Sequence, residues 1–462
     1  MCATPRVHQK SPRALCLAVL CCLSVAMVCI AGCASSKEEP EPPPSSSEQQ
    51  SAPPASSAQP AAPHEQSPQE LAAPHEETIP PEVASPPIVS LDEPPDEITL
   101  LFAGDVMAHE ENYSSPDFAA IWNDVRDVVG AADLAFMNLE APVADSLPFS
   151  TYPNFNMQSS YPLVAIDAGF NVVSLVNNHS NDQGLGGIEE TRAWAARVEE
   201  STASTPRPVW FSGLREEGAA FSYHLIEQHG WRVLFLAVSE ILNRPTCKTS
   251  LNYIEPKAEV RFAFLQYLAK LRRENPCDLF VLSIHSCEDE YVVRVAEERR
   301  AFYRQILSCG VDVVWANHPH VIRELDLLER DGMTRKIVMY GLGNTISGQR
   351  RAIDFATPRA AYNGRGDGLM VKATFTRDEQ GEVRLESSEL LFVTTIIEEG
   401  AAGRHFTLKR LNEDLIASLR TVGNARQTGN WDTSQARQWA AFLAVRLEES
   451  RAQARVNRLN LE

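Results

Sequence analysis

Positive charge is scarce in this sequence. Against 61 Asp and Glu stand 42 Lys and Arg among 462 residues, a formal net charge of -19 at pH 7. That balance excludes a nucleic-acid binder working through a basic surface, because phosphate backbones are held by concentrated Lys and Arg. After Ile30 there is no apolar run of the roughly 20 residues that a helical membrane crossing needs, which excludes a polytopic membrane protein. Nucleotide-loop signals are also missing: Gly341-Leu342-Gly343 lacks the Lys-Ser/Thr that holds phosphates and magnesium. There is no internal repeat, and no Ser-His-Asp arrangement stands out.

Cysteine is sparse where the chain folds. Six of the ten lie at or before Cys33, leaving Cys247, Cys277, Cys287 and Cys309. Cys277 and Cys287 bracket an apparent strand, which sets them about 30 Å apart and beyond disulfide reach. Cys277 with Cys309 is the better pairing, since each precedes a candidate strand at the same expected sheet edge; free thiols are the equal alternative.

The N-terminus has the form of a targeting segment: a basic region ending at Arg13, an apolar run from Ala14 to Ile30, then Ala31-Gly32-Cys33. Ile30-Ala31-Gly32-Cys33 resembles the bacterial lipobox, which implies lipidation of Cys33, removal of what precedes it, and anchoring to the outer face of the bacterial cell membrane. An uncleaved N-terminal anchor is the alternative, and either exports the rest. Lys37 to Glu97 then holds 16 of the 30 prolines, with 13 acidic residues against one basic. Such a stretch buries too little to offset its ordering entropy and reads as a disordered tether in which His64 and His75 are solvated. The expected organisation is a signal segment over 1–33, a tether over 34–97, a folded domain over 98–400 and a helical extension over 401–462.

From Ile98 onward, short apolar runs alternate with amphipathic stretches, the pattern of an α/β fold with mainly parallel strands. Candidate strands are Ile98 to Ala103, Asp133 to Met137, Val172 to Val176, Leu279 to Ile284, Val311 to Trp315 and Lys336 to Tyr340. Their near-continuous apolar character predicts cover on both faces. Helices are expected over Asp117 to Val129, Pro162 to Ala168, Gly187 to Val198, Ala258 to Arg273 and Glu297 to Ser308, with Leu408 to Leu419 and Ser434 to Arg455 in the extension. Phe221 to Glu227 with Arg232 to Val238, and Leu369 to Thr376 with Glu382 to Thr395, read as antiparallel hairpins, so a mixed sheet or two stacked sheets follows.

Ligand groups of open α/β sheets collect at the carboxyl ends of strands. Here those ends carry Asp105 with His109 beyond it, Asn138-Leu139-Glu140, Asn177-Asn178-His179, His285, Asn317-His318-Pro319-His320 and Gly341-Leu342-Gly343-Asn344. One such His is more often a hydrogen-bonded structural residue than a ligand. Five of the eleven histidines at these ends, beside carboxylates costly to bury without a cation, make a stronger case. The mixed imidazole, carboxylate and amide set suits two divalent ions of the Zn, Mn or Fe class sharing a bridging carboxylate. In an extended turn His318 and His320 would point to the same side and serve adjacent ions.

Gly104-Asp105-Val106-Met107, Asn138-Leu139-Glu140-Ala141-Pro142, Asn177-Asn178-His179 with Asp182 and Gly184, His285, His318-Pro319-His320 and Tyr340-Gly341-Leu342-Gly343-Asn344 together resemble the CapA/PgsA-type capsule synthesis family, the poly-gamma-glutamate biosynthesis proteins. That family is similar to the calcineurin-like metallophosphatases. The resemblance implies a metallophosphatase-like layered sandwich of mixed sheets flanked by helices. It also implies Asp105 on one ion, Glu140 bridging, Asn178 and His285 on the other ion, and His318 and His320 divided between them. His179 would protonate a leaving group, and catalysis would rest on His179, Asp105 and Glu140. Asp182 shapes the turn into the helix at Gly187, the alternative being that it orients His179.

The departures concern His109, four residues past Asp105 where the phosphatase pattern has Asp-x-His, the absence of His-Trp-Gly-x-Glu after His285, and Asn317 in place of Gly, which tightens the turn or adds a hydrogen bond. Arg350, Arg351, Arg359 and Arg365 follow the last motif, as an anion-binding loop or as solvated charge. The resemblance implies metal-assisted hydrolysis or transfer at a phosphoester or amide bond of an anionic envelope polymer. A non-catalytic scaffold of a polymer synthase complex and a general metallophosphoesterase are the alternatives.

Overall fold

A computed structural model describes residues 97–400, 403–424 and 433–461. The signal segment with Cys33, and the tether with His64 and His75, lie outside the described residues. Among those described, no helix is long and apolar enough to cross a membrane.

In chain order the strands are β1 (Glu97–Val106), β2 (Leu134–Leu139), β3 (Val172–Ser174), β4 (Trp210–Ser212), β5 (Tyr223–Gln228), β6 (Trp231–Ser239), β7 (Leu279–His285) and β8 (Val313–Asn317). They continue as β9 (Leu325–Arg330), β10 (Met333–Met339), β11 (Asn344–Ile346), β12 (Asp367–Arg377), β13 (Val383–Gly400), β14 (Gly403–Arg410) and β15 (Val456–Asn460). One mixed sheet runs β14-β13-β12-β1-β2-β3-β4, with β11 beside β1, and the other runs β15-β9-β10-β8-β7-β6-β5. Around the middle of both sheets the strands are parallel, as in β1 with β2 and β6 with β7.

The continuous apolar runs have a simple cause. Along β6 and β7, Val233, Phe235, Ala237 and Val281 join the core between the sheets, while Leu234, Leu236, Val238, Phe280 and Leu282 pack outward on Phe264, Leu268, Phe302 and Tyr303 of the helices Ala258–Glu274 and Glu297–Ser308. Side chains alternate along a strand, so two apolar faces make an unbroken apolar sequence. The sheets meet through aromatic rings: Phe136 of β2 lies 5.6 Å from Phe235 and 6.0 Å from Trp315. Trp315 Nε1 donates to Ala103 O across the layers at 2.9 Å, satisfying its polar handle inside the core. The architecture is the expected layered sandwich of mixed sheets flanked by helices.

Several local expectations shift. The helix expected over Asp117 to Val129 is a 3₁₀ turn, Ala119–Trp122, and a separate helix, Arg126–Ala131. Between them Asp124 turns out to accept the Arg410 N–H of β14 at 2.7 Å. The segment after residue 400 holds the two expected helices, Glu413–Asn424 and Thr433–Gln453, but also β14 and β15. β15 pairs in parallel with β9, more than a hundred residues earlier, and no local pattern could announce that partner. Thr433–Gln453 packs its Trp439, Phe442 and Leu443 with Ile396 and Phe406 of the β13–β14 hairpin, so the extension is part of the fold. All four cysteines are free. In place of a bond to Cys309, Cys277 Sγ accepts from Arg272 Nη1 at 3.0 Å.

Candidate metal centre

The parallel strands of both sheets deliver their carboxyl ends to one edge of the sandwich. Gly104 lets the first of them fit: a Cβ there would meet Gly343 O at 2.0 Å, where Asp105 N donates to that same oxygen at 3.0 Å. Gly343 itself has φ +69°, open to glycine at little cost. The Gly-Asp and Gly-x-Gly-Asn motifs are thus two sides of one close backbone approach.

Asn138 lies beside Asp105 in the β1–β2 register. Its Nδ2 donates to Asp105 Oδ1 at 2.8 Å and lies 3.4 Å from both Glu140 Oε2 and His285 Nδ1. Asp105 Oδ2 sits 3.0 Å from His320 Nδ1. Glu140 Oε1 is 3.6 Å from His320 Nε2 and 3.8 Å from His285 Nε2. His285 Nε2 donates to Asn178 Oδ1 at 2.8 Å. The ligating atoms of Asp105, Glu140 and His285 lie within 4.8 Å of one another, and so do those of Glu140, His318 and His320. Glu140 is common to both groups. Asp105 with His285, and His318 with His320, thus gather around Glu140.

The donors fit divalent cations. Asp105 and Glu140 are both fully buried, and Glu140 Oε1 and His318 Nδ1 have no hydrogen-bond partner. Buried polar atoms left so are costly unless something else binds them. Burial, and then the charge of Asp105, push the Glu140 carboxyl well above its ordinary range. Burial and the neighbouring imidazoles hold His285 far below 6.5 and His318 at about 4. His320 is the exception: burial pulls it down, but its hydrogen bond to Asp105 and that carboxylate's charge carry it above 6.5. Low-affinity imidazoles for protons beside carboxylates are what a cation needs, since ligands must be deprotonated to bind.

The His-Pro-His turn is not extended. His318 has φ +103° and His320 φ +54°, left-handed values rare outside glycine that cost on the order of 1–3 kcal/mol each and cluster at functional sites. Their ring centres are 6.0 Å apart. Pro319 O accepts the Tyr291 N–H at 2.8 Å, and Asn317 O accepts the Ser286 N–H at 3.1 Å, which pin the turn. The Asn317 side chain adds no hydrogen bond; both its polar atoms are buried without a partner.

His109 stands outside both groups. Its Nδ1 accepts the Gly348 N–H at 3.1 Å, and burial, then the charge of His320, pushes its pKa down to about 3. His179 is also outside the groups. Its Nδ1 lies 2.7 Å from Asp182 Oδ2, which also accepts the Phe155 N–H at 2.8 Å. Asp182 therefore orients His179 as well as forming the turn. Of the four arginines, Arg350 is fully buried on Asp367, and Arg351 and Arg359 pair with Glu111 and Glu448.

Three asparagines and Tyr291 also belong to the surroundings of the site. Asn138, two residues before Glu140, and Asn344, whose Oδ1 meets His320 Nδ1 at 3.0 Å, sat inside motifs already singled out. Asn243 follows β6 in a loop without any motif, yet its Nδ2 lies 3.2 Å from His179 Nδ1 and its Oδ1 accepts from Asn178 Nδ2 at 3.3 Å.

Comparison with known proteins agrees. The chain is similar to the capsule biosynthesis protein CapA of Bacillus anthracis, 23% identical over 188 residues, 40% of this chain and 41% of that one. It is similar also to the PGA biosynthesis protein CapA of Bacillus subtilis (strain 168), 21% identical over 262 residues, 55% of this chain and 64% of that one. The chain thus spans less than two thirds of either relative. Among solved structures, a putative 5'-nucleotidase from Staphylococcus aureus in complex with alpha-ketoglutarate superposes with a TM-score of 0.36 at 15% identity, over 64% of this chain and 54% of that one. The family described as bacterial capsule synthesis protein PGA_cap matches residues 99–349, from β1 to the loop beyond the last ligand-bearing motif, and the chain belongs to that family.

Proposed function

We propose that this protein is a lipid-anchored, extracytoplasmic enzyme of anionic envelope polymer synthesis, of the capsule or poly-gamma-glutamate type, acting by metal-assisted hydrolysis or transfer at a phosphoester or amide bond. The observation that carries the reading is Glu140: fully buried, with an oxygen free of hydrogen bonds, and shared by two sets of ligating atoms. Asp105, Glu140, Asn178, His285, His318 and His320 would hold two divalent ions of the Zn, Mn or Fe class. When bound, such ions supply Lewis acidity and an activated water near neutral pH.

The chain's own residues do the rest. Asn138 Nδ2 donates to Asp105 and stands between the two carboxylates, which would otherwise repel in a dry site. With Nδ1–H donating to Asp182 Oδ2, Nε2 would be the atom that exchanges a proton with a leaving group. Phe155, edge-on to His179 at 4.7 Å, limits the ring's rotation.

In the full chain, Asp182→Asn is expected to lower turnover by about 10- to 100-fold, the usual cost of removing a partner that orients a working imidazole, with metal content unchanged. Metal analysis by mass spectrometry beside assays on phosphodiester and gamma-glutamyl amide compounds checks this. A well-folded protein that takes up no metal and acts on neither would overturn the enzyme and leave the scaffold. The anchoring rests on the basic start, the apolar run and Cys33. Cys33→Ser should move the protein from the membrane to the soluble fraction on cell fractionation, and unchanged retention argues against lipidation.

A further inference from the structure

Three of the four arginines after the last strand-end motif are paired with carboxylates, Arg350 with Asp367, Arg351 with Glu111 and Arg359 with Glu448. Arg365 is different. It is half-buried, its Nε is enclosed without a hydrogen-bond partner, and among the described residues no carboxylate pairs with it. Its guanidinium carbon lies 3.8 Å from the centre of the Tyr291 ring and 5.3 Å from that of Tyr362. The Tyr291 ring in turn lies 5.9 Å from the ring of His320, a member of the metal-ligating group. Arg365 O accepts Asn344 Nδ2 at 2.8 Å, and Asn344 Oδ1 meets His320 Nδ1. The guanidinium is therefore one aromatic ring away from the candidate centre and tied to it through the main chain.

The seat is rigid. Tyr291 has φ +62° and is held by its N–H to Pro319 O, inside the His-Pro-His turn. A guanidinium over an aromatic face can keep the edge of its planar fork free, and that edge matches carboxylate and phosphate oxygens two at a time. Arg351, by contrast, is spent on Glu111 at the surface.

We propose that Arg365, seated on Tyr291, is the oxyanion anchor of the substrate, binding a carboxylate or phosphate carried by the polymer or its precursor next to the reacting bond. The proposal rests on the enzyme reading above for its substrate, but its test does not need turnover.

Isothermal titration of the full chain, loaded with manganese, measures binding of a short gamma-linked glutamate oligomer and, separately, of inorganic phosphate. Arg365→Gln is expected to weaken the bound anion by about 10- to 100-fold, the scale of losing a charge-assisted bidentate contact. Arg351→Gln should bind as the wild type does. Loss confined to the oligomer identifies a carboxylate, loss confined to phosphate a phosphoryl group, and loss of both a shared oxyanion site. Equal affinity in Arg365→Gln and wild type, or no binding of either anion by the wild type, overturns the proposal. If Arg365→Gln does not fold, Arg365→Lys replaces it: the ammonium keeps the charge but loses the fork, and weaker binding is again expected. A wild type that binds no metal yet binds the oligomer through Arg365 would sink the enzyme reading alone.

Discussion

Glu140→Gln should strip both ligand groups of metal at once, because each includes Glu140. Partners one shell out typically contribute about 10- to 100-fold to metal affinity, so loss of a shared ligand is expected to exceed about 100-fold. Metal per chain after dialysis against a dilute chelator reads this directly, and full retention would refute the shared role. The same substitution has an opposite effect on the metal-free protein. The folded Glu140 carboxyl holds its proton well above 4.5, because it is buried and faces Asp105. The stability linked to that proton is fully present below the unfolded value of 4.5 and is lost as pH rises through the raised folded value. Metal-free Glu140→Gln should therefore melt higher than wild type at neutral pH, and their difference should vanish as pH approaches 4.5. Thermal melts of both across that range check the sign. The imidazoles of His285 and His318 titrate in both proteins and cancel to first order in the difference.

The second large effect is structural. Asp367 begins β12 and accepts Arg350 Nη1 at 2.9 Å, Arg446 Nε at 2.7 Å and Thr394 Oγ1 at 2.8 Å. Arg350 is fully buried and Arg446 is 2% exposed, so Asp367→Ala leaves two guanidiniums in the interior without a counter-charge. Breaking such a buried cluster on one side costs about 3–5 kcal/mol, a large part of an ordinary domain's stability. Urea unfolding of the full chain measures it. Arg446→Ala should cost less, because Asp367 keeps Arg350. A triple change of Asp367→Leu, Arg350→Met and Arg446→Leu should recover most of the loss, since no charge then remains buried. A loss below about 1 kcal/mol for Asp367→Ala would show that water reaches the arginines, contrary to their burial. The cluster joins the helix Thr433–Gln453 to β12, whose Gly368 bridges to Gly343 behind Asp105, so the terminal helix supports the floor of the centre.

How much of this was legible in the residues varies with the range of the interaction. Strands covered on both faces announce themselves as apolar runs, and the two hairpins are local, so β1, β2, β3, β5, β6, β7, β8, β10, β12 and β13 are readable. β4, β11 and β14 are short or of mixed polarity, and β15 depends on β9 for its existence as a strand. In the same way Asp105, Glu140, Asn178, His179, His285, His318 and His320 stood out because metal-ligating residue types occurred one strand end after another. His109 is of the same type at the same kind of place, but it lies outside both ligand groups and accepts from Gly348, 239 residues further along the chain.

The acidic balance, the α/β pattern, the family, and which strand ends carry imidazole and carboxylate follow from residue type and from spacing of a few positions. Packing accounts for which side chains gather around Glu140, for the contact of Asp182 with His179, for the burial of Arg350 while Arg365 rests on Tyr291, and for the pairing of β15 into the second sheet. Each of these pairs residues brought together by packing or by backbone dihedrals, such as the left-handed His318 and His320, and burial and distance are properties of the packed sandwich that residue type alone does not encode.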